Sequence, residues 1–180
     1  QIEARTMAYG DQKRVYMECT ASIPSGRIWQ ERESGTNSEI EMPCPLCGAW
    51  VTPGRAHLIG WQEAGNEIEA EHLARFSCPA CLAPWDETQR ANANRASRLI
   101  HGNDPESVKT LGFRWSAVNN LLVPAGVFGL KEWKAARATD EDNAEKEIHQ
   151  FVWGLPYQGH KIEMAELKTD ALLHRFSETG

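Results

Sequence analysis

Long hydrophobic runs, an export signal and an excess of positive charge are all absent from this sequence. No apolar run approaches the ~18 residues needed to cross a bilayer, which excludes a membrane-spanning protein. The N-terminal residues 1–5 are polar and do not form a signal peptide. The 19 lysines and arginines are outnumbered by 25 aspartates and glutamates, for a net charge of −6. A domain that coats nucleic acid through bulk electrostatics is therefore disfavoured, and any DNA contact needs a local patch.

The composition is that of a soluble globular protein. The chain has 180 residues, of which 41% are hydrophobic and 24% are charged. This length fits one domain or two small ones. The sequence does not begin with Met, so we expect it to be a fragment of a longer protein.

Cysteine is scarce, and the five cysteines cannot all pair as disulfides. Cys19 stands alone, while the other four form two CxxC turns, Cys44–Cys47 and Cys78–Cys81, each with Pro after the first Cys. Four thiolates in two such turns are the ligand set of a tetrahedral structural zinc site. Free thiols and zinc also fit a reducing cytosol.

The alternatives for these cysteines are two disulfides, four unrelated buried thiols or a redox motif. A thioredoxin-like site needs one CxxC near a βαβ pattern, whereas this chain has two matched turns. The pattern therefore favours zinc held by Cys44, Cys47, Cys78 and Cys81. A complete Cys₄ shell leaves no open position, which indicates a structural metal. A ribbon of roughly 40 residues buries little apolar surface, so we expect metal binding to fold it as a separate unit.

Hydrophobic patterning predicts a mixed α/β arrangement. The predicted helices cover 27–32, 86–100, 129–138 and 139–153. The predicted strands cover 14–20, 38–42, 57–62 and 111–118, with 64–71 as a loop or the tip of a hairpin. The arginines of the second helix, Arg90, Arg95 and Arg98, are predicted to form a solvated face, with phosphate contact as the alternative.

The predicted strand at 14–20 leads into two hydroxyl side chains, Thr20 and Ser22. Ligands of open α/β sheets bind at the carboxyl ends of strands, where a hydroxyl can sense a phosphate or hold a water. The alternative is an ordinary strand-to-turn transition, in which Ser and Thr are common.

A series of segments along the chain follows a recognisable order. The segments are 18–22 (ECTAS), 26–28 (GRI), 44–48 (CPLCG), 78–81 (CPAC), 112–117 (GFRWSA), Trp133 and 151–157 (FVWGLPY). This order resembles the large subunit of tailed-phage DNA-packaging terminases, in the lambda gpA-like branch. The resemblance spans nearly the whole chain, and the last segment departs from the family pattern at Trp153 and Gly154.

The resemblance implies a fold class and a domain division. The fold is α/β, the C-terminal part of a P-loop ATPase domain with an inserted Cys₄ zinc ribbon. Residues 1–36 resemble the end of the ATPase core, with its coupling-motif strand and the following helix. Residues 38–85 resemble the ribbon, 86–157 the closing subdomain of the ATPase, and 158–180 the linker toward a nuclease domain.

The resemblance also implies a function, an ATP-driven motor that moves DNA into the prohead and cuts concatemeric DNA. Thr20 and Ser22 resemble the coupling motif, which the family writes Ser/Thr-Thr-Pro and this chain writes Thr20-Ala21-Ser22. The implied cofactors are structural Zn²⁺, with ATP and Mg²⁺ in the full-length protein. The implied partners are double-stranded DNA, the terminase small subunit, the portal protein and further copies of the chain, in the host cytoplasm.

Three parts of a complete terminase are missing from this sequence. It has no GxxxxGK[ST] loop to hold phosphates, no Walker B carboxylate pair and no downstream nuclease carboxylates. The chain is therefore not expected to hydrolyse ATP or cut DNA by itself. The alternative function is a free-standing zinc-ribbon module that binds nucleic acid or protein.

Overall fold

The structure, a computed structural model, describes residues 15–159. The first residue of the predicted strand at 14–20 and most of the predicted linker at 158–180 lie outside the described residues. The helices are α1 (Arg27–Ser34), α2 (Glu67–Leu73), α3 (Glu87–Arg95), α4 (Ala125–Ala135) and α5 (Glu141–Glu147). The strands are β1 (Ser38–Pro43), β2 (Trp50–Val51), β3 (Leu58–Ile59), β4 (Arg75–Ser77), β5 (Pro84–Trp85) and β6 (Arg98–His101). Short 3₁₀ helices cover Arg55–His57 and Ala117–Asn119, and a π-helix covers Ile148–Val152.

The strands form two antiparallel sheets of three strands each, in the orders β2-β1-β6 and β3-β4-β5. In the first sheet β1 and β2 form a hairpin, with Pro43 opposite Trp50. In the second sheet β4 and β5 form a similar hairpin, with Ser77 opposite Pro84. Each CxxC turn lies at the tip of one hairpin, so each sheet presents one pair of cysteines.

Both sheets share one hydrophobic core with helices α3 and α4. The cluster runs from Met42 in β1 through Phe76 in β4 to Phe128 in α4 and Trp153 near the C-terminal end. Helix α4 packs closely on the segment around α2, and a Cβ on Gly129 would lie 2.1 Å from the Cβ of Ala74. The predicted ribbon therefore buries its apolar side chains against the rest of the protein, which does not support its folding as a separate unit.

Two of the predicted strands are wrong. Residues 15–20 contain neither helix nor strand, since no strand among the described residues pairs with them. Residues 111–118 contain only an isolated parallel bridge between Phe113 and Ser38, followed by a 3₁₀ turn. The segment meets β1 at this single residue and then turns into the 3₁₀ helix, so it forms no ladder.

The predicted loop at 64–71 is also wrong, because α2 begins inside it. The side chain of Asn66 accepts a hydrogen bond from the N–H of Glu69 at 3.0 Å. Glu69 in turn accepts from the N–H of Gly65 at 2.8 Å. The first bond satisfies one of the free N–H groups at the helix start, and its sequence signal is an Asn just before the helix.

The predicted helix at 86–100 ends early. Its start is confirmed, since Asp86 accepts from the N–H of Gln89 at 2.7 Å. The helix stops at Arg95, and residues 98–101 form β6, which pairs along β1. Arg98 forms an ion pair with Glu41 at 2.7 Å across these strands, and tertiary pairing thus overrides the helical pattern.

Arg90 does not lie on a solvated face, as its side chain is only 2% exposed. Its guanidinium donates to the carbonyls of Ala117 and Asn120 at 3.2 and 3.1 Å and to that of Val123 at 2.8 Å. Glu87 pairs with the same guanidinium. Arg90 therefore stabilises the loop before α4. These hydrogen bonds use the guanidinium donors that a phosphate would need.

The remaining elements are confirmed with shifted ends. Helix α1 extends the helix predicted at 27–32, β1 runs one residue beyond the strand predicted at 38–42, and β3 falls within the strand predicted at 57–62. The two helices predicted at 129–138 and 139–153 correspond to α4 and to α5 with its π-helical continuation. Within residues 15–159, no helix has the length and apolar character needed to span a bilayer.

Candidate metal centre

The two CxxC turns have the same hydrogen bonding. In the first turn, the N–H of Cys44 donates to the carbonyl of Ala49 at 2.8 Å, and the N–H of Gly48 donates to the carbonyl of Cys44 at 2.9 Å. The turn that begins at Cys78 repeats both bonds, at 3.0 and 2.9 Å. These bonds close each turn locally, which is why the short Cys-Pro-x-Cys segment can form it.

Backbone N–H groups in each turn point at the first sulfur. Cys44 Sγ accepts from the N–H of Leu46 at 3.4 Å and from that of Cys47 at 3.5 Å. Cys78 Sγ accepts in the same way at 3.3 and 3.5 Å from the two equivalent N–H groups. In each turn the first cysteine is buried and the second is exposed. These N–H groups favour a thiolate at the buried position.

The turns bring all four predicted ligands together. The sulfurs of Cys44, Cys47, Cys78 and Cys81 all lie within 4.8 Å of one another. The sulfurs of Cys44 and Cys81 are 3.9 Å apart, as are those of Cys47 and Cys78. Zn–S bonds of about 2.3 Å in a tetrahedron separate neighbouring sulfurs by about 3.8 Å. The donor set therefore fits a tetrahedral metal ion, and within residues 15–159 no other such group of ligand side chains is found.

The charge balance of the cluster also suits a cation. Burial opposes ionisation of Cys44, but the N–H groups of Cys47 and Leu46 and the nearby thiols lower its pKa to about 6. The N–H of Ala49 favours ionisation of Cys47, but desolvation and the neighbouring thiols outweigh it and raise its pKa to about 12. Burial, in addition, raises the pKa of Cys78. One thiolate forms readily, but its negative charge opposes the ionisation of the other thiols. A bound divalent cation would offset this repulsion.

The residue after each second cysteine has a left-handed backbone. Gly48 has a φ of +73° and its counterpart Leu82 a φ of +61°. Glycine adopts this conformation freely, whereas a side chain there costs about 1–2 kcal/mol. The first turn is thus the less strained of the two.

We expect Gly48→Ala to lower the free energy of unfolding by about 1 kcal/mol. Gly54→Ala is a matched control, because Gly54 has a φ of −122° and a Cβ at either glycine meets no atom within 4 Å. Urea unfolding at one metal concentration measures the difference. Equal stability of the two variants would show that the left-handed backbone does not limit this turn.

The two predicted hydroxyl residues lie outside the cysteine cluster. Thr20 and Ser22 are exposed, and so is Cys19, which directly precedes Thr20. The backbone carbonyl of Ser22 accepts hydrogen bonds from Gln150 and Tyr157. The structure therefore separates the sequence-predicted residues into a cysteine centre and a hydroxyl segment.

Sequence patterning did not predict an ion network that joins Arg55 to two carboxylates. Arg55, in the arm between the two turns, donates from Nε and Nη2 to the two oxygens of Glu132 at 2.9 and 2.8 Å. Glu132 is 1% exposed and also accepts from the indole N–H of Trp153 at 2.6 Å. Arg55 reaches a second carboxylate, Glu145, at 2.9 Å. The partners are 21 to 90 residues apart, so no local spacing signals the network.

The same network makes stability depend on pH through Glu145. The hydrogen bonds from Arg55 lower the pKa of Glu145 below its ordinary value of 4.5, against the opposing effect of burial. A carboxyl with a lowered folded-state pKa stabilises the fold above its unfolded-state pKa, and this contribution is lost as the pH falls through the folded-state value.

We therefore expect Glu145→Gln to be less stable than the parent chain at pH 7, with the difference shrinking below about pH 4.5. Unfolding free energies of both proteins across this range measure it. Glu147→Gln, at an exposed position of the same helix, is the control and should show no such convergence. A difference that stays constant with pH would contradict the assignment to the Arg55 contact.

The fold and the centre define a class of protein, a mixed α/β chain in which two hairpins present a four-cysteine cluster that can hold a metal ion. A family model described as phage terminase large subunit gpA, ATPase domain, matches residues 2–98. The match covers more than half of the chain, so the chain belongs to this family, as the order of its segments predicted. Neither a curated protein nor a solved structure matches it.

Proposed function

We propose that the chain is part of the large subunit of a viral DNA-packaging terminase, an ATP-driven motor that moves DNA into the prohead and cuts concatemeric DNA. The family match at residues 2–98 carries this proposal. The matched range includes all four clustered cysteines and both hydroxyl candidates. Membership of an ATPase-domain family supports ATP and Mg²⁺ as cofactors of the full-length protein.

The cysteine cluster is proposed as a structural Zn²⁺ site with Cys44, Cys47, Cys78 and Cys81 as ligands. The sulfur separations of 3.9 Å and the four-thiol donor set support this choice. Zinc would cross-link the two hairpins. It would take no part in a reaction, because four protein ligands leave no open coordination position. The arm between the turns carries Arg55, so the same cross-link would orient the ion network.

The proposed division of the chain keeps the boundaries implied by the resemblance. Residues 1–36 are the end of the ATPase core, 38–85 the zinc ribbon, 86–157 the closing subdomain and 158–180 the linker toward the nuclease. The shared hydrophobic core supports a ribbon that is docked on the closing subdomain.

Thr20 and Ser22 are proposed as coupling-motif residues, which link loss of the γ-phosphate to movement of the parts that grip DNA. Their exposure leaves both hydroxyls accessible to a nucleotide or to a neighbouring part of the motor. Double-stranded DNA, the small subunit, the portal protein and further copies of the subunit are the proposed partners, in the host cytoplasm.

The coding sequence upstream of residue 1 tests this function. We expect a GxxxxGK[ST] loop and a Walker B carboxylate pair within a couple of hundred codons. The complete subunit should then hydrolyse ATP, whereas the 180-residue chain alone should neither hydrolyse ATP nor cut DNA. An in-frame start at residue 1 with no ATPase upstream would favour the alternative, a free-standing zinc-ribbon module.

A further inference from the structure

The backbone carbonyl of Ser22 is held by two donors from the other end of the described chain. The side-chain amide of Gln150 donates to it at 2.7 Å. The backbone N–H of Tyr157 donates to the same oxygen at 3.0 Å. Residues 15–23 contain no helix or strand, so these two bonds tie the carboxyl end of an otherwise irregular stretch.

Gln150 reaches this carbonyl from a well-anchored turn. Its side chain is 8% exposed, and it lies within the π-helix, where the N–H of Trp153 donates to the carbonyl of Ile148 at 3.2 Å. The Trp153 indole donates to buried Glu132. Its ring also lies edge-to-face with Phe76, with centroids 6.3 Å apart. The π-helix therefore packs on the same hydrophobic core as β4, the strand that leads into the second cysteine turn.

The second donor is anchored as well. The hydroxyl of Tyr157 donates to Asp142 at 2.9 Å, and the Tyr157 ring lies 5.3 Å from that of His149. The N–H of Leu155 donates to the carbonyl of His149 at 2.9 Å. These contacts fold residues 153–157 back along the helix, so the N–H of Tyr157 faces Ser22 in a defined position.

We propose that Gln150, together with the N–H of Tyr157, is a clamp that positions the Thr20–Ser22 segment. Gln150 is a positioning residue, since it acts on the backbone of Ser22 and leaves both hydroxyls accessible. The inference rests on the proposed function insofar as Thr20 and Ser22 act in coupling, but the clamp itself rests on the contacts alone. The chain turns into α1 directly after Ser22, because Gly26 donates to the carbonyl of Ile23 at 2.9 Å. The clamp thus holds the segment where it enters that turn.

The first test is Gln150→Glu in the 180-residue chain. The ionised carboxylate keeps the size of the side chain but cannot donate to a carbonyl. We expect the Tyr157 amide to exchange about tenfold faster by NMR, and the resonances of residues 15–23 to become more mobile. Gln158→Glu is the matched control, because Gln158 is exposed, and it should leave both readouts unchanged. Unchanged Tyr157 exchange in a folded Gln150→Glu chain would overturn the clamp.

A reciprocal test removes the acceptor and keeps Gln150, in case the substitution prevents folding. Deletion of residues 1–22 should raise Tyr157 amide exchange by a similar factor, whereas deletion of residues 1–14 should not. Equal protection in the two deletions would overturn the proposal.

The complete large subunit then tests the role of the clamp in the motor. We expect Gln150→Glu to lower kcat for ATP hydrolysis about tenfold with the KM for ATP unchanged, because the segment is misplaced while nucleotide binding is intact. Gln158→Glu should retain the parent kcat. An unchanged kcat would overturn the positioning role. A parent subunit without ATPase activity would instead overturn the proposed function, and the NMR result would still decide the clamp.

Discussion

Cys78→Ser is expected to abolish metal binding and to unfold the entire described part of the chain. Cys78 is buried, and its sulfur lies 3.9 Å from that of Cys47. Structural zinc contributes roughly 10–16 kcal/mol to folding in zinc-finger peptides, compared with a net stability of about 5–15 kcal/mol for an ordinary domain. Because Cys78 follows Phe76, whose ring packs on Phe128 and Trp153, loss of the second turn removes support from the common core.

Hydrogen exchange and metal analysis check this prediction. In Cys78→Ser, protection should fall in α4 and α5 as well as in β3, β4 and β5. Cys19→Ser is the control, since Cys19 is exposed and lies outside the cluster, and it should bind one metal ion and remain folded. Protection lost in the hairpins but retained in α4 and α5 would show a ribbon that melts separately. A parent chain that stays folded after a chelator removes its metal would show that the centre is not structural.

Glu132→Ala is expected to lower the free energy of unfolding by about 2–3 kcal/mol. The substitution leaves the Arg55 guanidinium without its buried partner and the Trp153 indole N–H without an acceptor. Groups that lose their partner inside a protein bear the full cost of desolvation, which exceeds the net value of the original bond. Glu132→Gln keeps an acceptor for Trp153 and removes the charge, so we expect a smaller loss.

Urea unfolding of these variants measures the effect at one metal concentration. Glu147→Ala, at an exposed position of α5, should change stability by less than about 0.5 kcal/mol. Arg55→Met combined with Glu132→Met should cost less than the sum of the two single substitutions, because the double variant removes both charges of the pair and each single variant leaves the other charge without this partner. A loss below about 1 kcal/mol in Glu132→Ala would mean that the network contributes little to the fold.

Features that close within a few residues could be predicted from the sequence. The turns at Cys44 and Cys78 are held by bonds between residues at most five apart, so their cysteine spacing predicts their geometry. The cap of α3 by Asp86 is equally local. The cap of α2 by Asn66 is also local and could have been predicted from the sequence, but the polar composition of residues 64–71 suggested a loop.

Features that depend on distant partners could not be predicted in this way. The sequence predicts Arg90 as one of three surface arginines. In the structure it is buried, and its guanidinium donates to three carbonyls 27 to 33 residues away. Residues 98–101 continue a helical pattern but pair with β1, and residues 111–118 have strand composition but make only one bridge to β1. Patterning reports what a segment can form, while the available partners decide which form it takes.

The sequence by itself determined the four-cysteine centre and the terminase family, because short spacings and the order of segments carry both. Only the tertiary structure decided that the hairpins share a core with α4, and that Arg55 meets Glu132. It alone placed Gln150 on the Ser22 carbonyl, a contact across 128 residues. The physical reason is that a turn is selected by its own backbone bonds, whereas a buried charge or amide is selected by whichever distant partner satisfies it.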